Sequence, residues 1–60
     1  MADLFDRADV TRHDKAACIR RELGYRKRVY PRWVEVGKMT KAQADREVAV
    51  MEAILADYAP

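Results

Sequence analysis

From about residue 16 to residue 36 the chain repeats its apolar residues at helical rather than alternating spacing. At about 100° per residue, Cys18, Tyr25, Val29, Trp33 and Val36 fall in one angular sector, and Ile19, Leu23, Tyr30 and Val34 in the sector beside it. Together they make an apolar arc about 180° wide, the mark of an amphipathic helix. The phase does not slip at Gly24 or at Pro31. The pattern therefore predicts one long helix over residues 12–36, kinked near Pro31, in preference to two short ones ended by those residues. Thr11 followed by Asp14 resembles a capping box at its start, with the acid placed at the positive end of the helix dipole.

Gly37 stands where the apolar pattern ends, the position a left-handed C-terminal cap favours. Thr40 with Gln43 forms a second capping box, and Met39 and Ala44 are spaced as a hydrophobic staple. A second helix follows over residues 41–58. Ala44, Val48, Met51, Leu55 and Tyr58 form its stripe, with Ile54 alongside, and its interior is free of glycine and proline. Two helices joined by so short a turn must run antiparallel. The predicted class is all-α: a helical hairpin over residues 11–60. The apolar residues of segment 1–10 are interrupted by Asp3, Asp6 and Asp9, which reads as a flexible N-terminal arm.

The arc of the first helix is wider than one neighbouring helix covers, so the pattern predicts assembly into a helical bundle, most simply a homodimer of hairpins. Length points the same way. Sixty residues supply a small core, and the single cysteine, Cys18, forms no internal disulfide. Tyr25, Val29 and Trp33 are candidate interface residues. Ala42, Ala49, Ala53 and Ala56 share another side of the second helix, where small residues let a further helix approach or simply fill exposed positions; Ala49 and Ala53 are the candidates there.

Charge changes the picture in the middle of the chain. Residues 1–15 carry three basic and four acidic side chains, residues 16–40 seven and two, and residues 41–60 two and four. Placed on a helix, Arg20, Arg21, Lys27, Arg28 and Arg32 span about 140° opposite the apolar arc. This is a candidate nucleic-acid face, since a row of cations is what phosphate contact requires. Alternatively, the acidic ends neutralise it within or between chains. Arg26 departs from the row. With Glu22 it points into the apolar arc, in the favoured acid-first order four residues apart. Such a pair either sits at an interface, where it fixes register, or lies exposed between two narrower stripes. Glu47, within the stripe of the second helix, is positioned to meet Arg26 across the hairpin.

No catalytic constellation stands out. The carboxylates are at ordinary surface spacings, His13 has no second histidine to work with, and Cys18 at the edge of the apolar face reads as a buried, inert thiol. Neither a metal framework nor a cofactor is expected. The acidic start lacks the apolar core of a signal peptide, and no run is long enough for a membrane span, so a cytoplasmic setting is expected.

Val29 to Val34 (VYPRWV), Gly37, Met39, Thr40 and the run from Ala44 to Ala53 (ADREVAVMEA) together resemble a recurrent small protein of bacteriophages and proteobacterial prophages. The resemblance covers just over half of the chain. It implies a phage or prophage setting and brings neither an activity nor site residues. The expected function is a non-enzymatic, self-associating protein-interaction module, its further protein partner unidentified. The alternative is a nucleic-acid-binding accessory protein that uses the basic face.

Overall fold

The computed structural model describes residues 9–59, so the expected N-terminal arm lies, for residues 1–8, outside the described residues. Two helices, α1 (Arg12–Glu35) and α2 (Lys41–Tyr58), form an antiparallel hairpin with no strand among the described residues.

Local chemistry sets each boundary. At the start of α1, the Asp14 amide donates to Thr11 Oγ1 and the Thr11 amide donates to the Asp14 carboxylate, both at 3.0 Å. These bonds satisfy amides that the helix itself leaves unpaired. The bond from the Thr11 amide, helped by the Thr11 hydroxyl, holds the Asp14 carboxyl below its ordinary pKa. At the far end, Gly37 takes φ +80°. Its amide bonds the Val34 carbonyl at 3.1 Å, and the Lys38 amide bonds the Trp33 carbonyl at 2.8 Å. This pair of bonds is a Schellman motif. Thr40 and Gln43 cap α2 in the same reciprocal manner as Thr11 and Asp14.

Neither Gly24 nor Pro31 interrupts α1. Pro31 has no amide to offer the carbonyl one turn back, but it is exposed, where water can take up a freed carbonyl.

The seam between the helices is narrow. Ala16, Leu23 and Tyr30 of α1 and Ala44 of α2 are buried, and no described side chain is completely enclosed. Ile19 and Val34 on α1, and Val48, Met51, Leu55 and Tyr58 on α2, are half-buried along the same line. Thus α2 covers one of the two apolar sectors of α1. The other sector stays open: Cys18, Tyr25, Trp33 and Val36 are exposed and only Val29 is half-buried. Cys18 was expected to be a buried thiol. It is exposed because it belongs to the sector that α2 does not reach.

The two glycines are expected to respond to alanine with opposite signs. A Cβ at Gly24 would meet nothing within 4 Å, so Gly24→Ala should stabilise the hairpin by about 0.5–1 kcal/mol through helix propensity. Gly37→Ala forces a side chain into left-handed backbone and should cost about 1–2 kcal/mol. Thermal unfolding followed by circular dichroism reads both. A loss of stability in Gly24→Ala would mean that another surface packs against that point of α1.

Candidate functional site

A hairpin is one helix thick, so it presents two broad faces. On the front, the open sector of α1 (Cys18, Tyr25, Trp33) lies beside Val50 and Ile54 of α2. Two shallow hollows flanking the seam place Cys18 with Ile54 and Trp33 with Glu47, and helical phase puts Tyr25 and Val50 on the same side. One is lined by Val10, Cys18, Ile19 and Ile54 near the open end of the hairpin. The other is lined by Tyr30, Trp33, Met39 and Glu47 near the turn. The exposed large apolar side chains are Val10, Tyr25 (46%), Trp33 (36%), Val36 (57%), Val50 (39%) and Ile54 (37%). Apolar residues scattered singly are ordinary on a protein surface, whereas a set gathered on one face marks contact with another molecule. Val50 was not singled out in the sequence, and Ile54 only as a flank of the α2 stripe. Their signal was an angular offset of about 80–120° from the centre of the α2 stripe, which becomes a face only once α1 lies beside it.

A polar cluster crosses the seam on this face. The Arg26 guanidinium donates to Glu22 at 3.4 Å on its own helix, to the Tyr30 hydroxyl at 3.2 Å and to Glu47 of α2 at 3.5 Å. Partial burial works against the Arg26 charge, but Tyr30 and the Glu22 carboxylate outweigh it and hold its pKa above the ordinary arginine value. The expected meeting of Arg26 with Glu47 is present. Glu22 is exposed, so the pair leans from the seam towards solvent rather than lying inside the apolar contact. Above the cluster, the ring of Tyr30 packs against Trp33 with centroids 5.6 Å apart.

The structure divides the basic segment. Lys27 turns towards α2 and bonds Glu52 at 3.3 Å. Arg20 lies on the back, where a hollow is lined by His13, Ala16 and Tyr58. Arg21, Arg28 and Arg32 fall within about 40° of one another along the outer edge of α1, next to the front face. The guanidinium of Arg28 stands over the Tyr25 ring, 5.8 Å from its centroid, at cation–π distance. Among the described residues Arg20, Arg21, Arg28 and Arg32 have no carboxylate within ion-pair distance, and all five cations are exposed on the continuous α1, with Lys27 alone drawn to an acid of α2.

Ala49 and Ala53 are exposed on the outer edge of α2, well away from Tyr25 and Trp33; the hairpin does not bring the two groups of interface candidates together. At its open end, Arg12 donates to the Asp57 main-chain carbonyl, and Arg12 and Lys15 stand 5.6 and 5.4 Å from the centroid of the Tyr58 ring. These cations meet the negative end of the α2 dipole. The contact joins residues at opposite ends of the chain, and helix periodicity carries no trace of it.

No described helix is long and apolar enough to cross a membrane. The chain matches no family model, no curated protein and no solved structure.

A double-mutant cycle on Arg26→Ala and Glu47→Ala, read by urea unfolding, should give a coupling of about 0.2–1 kcal/mol, the range for an ion pair open to water. Zero coupling would mean that the contact contributes nothing to holding the helices together.

Proposed function

We propose that this chain is a non-enzymatic interaction module, in a phage or prophage setting, that self-associates by stacking two hairpins front to front into a four-helix bundle. The observation that carries the reading is the gathering of Tyr25, Trp33, Val50 and Ile54 on one face of a layer only one helix thick. A second layer would remove these side chains from water. The gain is on the order of 1 kcal/mol for each side chain now about half exposed. The half-buried seam would also become the centre of a closed core, as in other bundles. The setting rests on the resemblance of the VYPRWV and ADREVAVMEA segments to small phage proteins.

A second reading is supported by the four arginines without carboxylate partners. A nucleic-acid backbone laid along the outer edge of α1 would meet Arg21, Arg28 and Arg32 in succession, with Arg20 round the helix from them.

Sedimentation equilibrium tests the first reading. The chain should run at twice its monomer mass and unfold at a temperature that rises with its concentration, and Ile54→Lys should shift it to monomer and remove that concentration dependence. Ala49→Lys, on the outer edge of α2, should remain dimeric. A stable monomer for the unaltered chain overturns the reading, and loss of the dimer in Ala49→Lys alone would move the interface to the alanine edge. Gel-shift titration against double-stranded DNA and RNA tests the second. Three to four phosphate contacts should give a salt slope of about −3 in log–log form. No binding at low salt removes it.

A further inference from the structure

Resting on that self-association, we infer how the second copy lies: its α2 covers α1 and its α1 covers α2, around a two-fold axis parallel to the helices. Two identical layers stacked front to front close in two ways. An axis along the helices places unlike helices over each other. An axis across them places α1 on α1 and α2 on α2.

Two observations select the first. The first is net charge. α1 carries eight basic and three acidic side chains, and α2 carries two and four. Like-on-like stacking sets a helix of net +5 on its own copy, whereas unlike stacking sets +5 against −2. The second is the rim of the front face. Arg21, Arg28 and Arg32 lie along the α1 edge that borders that face, none within ion-pair distance of a carboxylate among the described residues, and the Arg28 guanidinium stands over Tyr25. Like-on-like stacking would run two such ranks along one edge, where an approaching apolar layer removes water and strengthens repulsion. Unlike stacking puts the rank beside the α2 edge, whose Ala49 and Ala53 leave room for long side chains. The small alanines then act as clearance for the arginines rather than as a separate docking site.

Disulfide trapping reads the arrangement directly, and an axis along the helices keeps every residue level with its counterpart in the second copy. The Arg26–Glu47 contact places Tyr25 within about one turn of Val50 in height. In a Cys18→Ala background, Tyr25→Cys chains mixed with Val50→Cys chains should cross-link under mild oxidation, while Tyr25→Cys alone should not. Like-on-like stacking predicts the reverse, because Tyr25 lies near the middle of α1 and would face its own copy across the axis. A Tyr25→Cys self-cross-link without the mixed one overturns the arrangement. The pair Glu22→Cys and Ile54→Cys, at one level with both side chains on the front, repeats the test without removing an aromatic side chain. Sedimentation of the Cys18→Ala chain before oxidation separates the two questions: a monomer overturns self-association itself, and a dimer with the wrong cross-link overturns only the arrangement.

Discussion

The structure depends on a mismatch of width. α1 carries two apolar sectors side by side, and α2 is one helix that covers one of them. The sector of Ile19, Leu23, Tyr30 and Val34 becomes the seam, and the sector of Cys18, Tyr25, Trp33 and Val36 is left facing water. A hairpin has no third element to cover the remainder. The seam is correspondingly thin, with two of its four buried residues being alanine. The open sector, extended by Val50 and Ile54, is apolar surface that the hairpin alone does not cover.

Polar contacts sort the remaining surface more than they stabilise it. Arg26 reaches Glu22, Tyr30 and Glu47 at distances of 3.2–3.5 Å, and Lys27 reaches Glu52 at 3.3 Å. Such water-exposed pairs contribute little individually. Their effect is geometric. Arg26 crosses the seam on the front and Lys27 meets Glu52 across the hairpin, so two neighbouring residues of α1 tie it to α2. The arginines left over collect on the outer edge and back of α1. A segment that is a single basic run in sequence thereby becomes two tethers to α2 and a rank of cations bordering the apolar face.

The ends of the helices are handled locally. Thr11 with Asp14, and Thr40 with Gln43, satisfy amides that would otherwise lack partners, and Gly37 turns the chain back with a backbone conformation that other residues adopt only at a cost. Pro31 sits on the solvent side of α1, so the bond it deletes costs the helix no buried partner.

Much of this was legible from the residues alone. Both helices, both capping boxes, the turn at Gly37, the continuity of α1 through Gly24 and Pro31 and the Arg26–Glu47 contact follow from periodicity and from chemistry acting over a few residues. The excess width of the α1 arc was also a property of the sequence. What only the tertiary structure decided was which half of that arc faces α2. That choice exposes Cys18, joins Val50 and Ile54 to Tyr25 and Trp33, removes Lys27 from the basic row and brings Arg12 to the end of α2. The reason is physical. Helical periodicity fixes the angles of residues about their own axis, but the rotation of one helix against another is set only when side chains distant in sequence pack together.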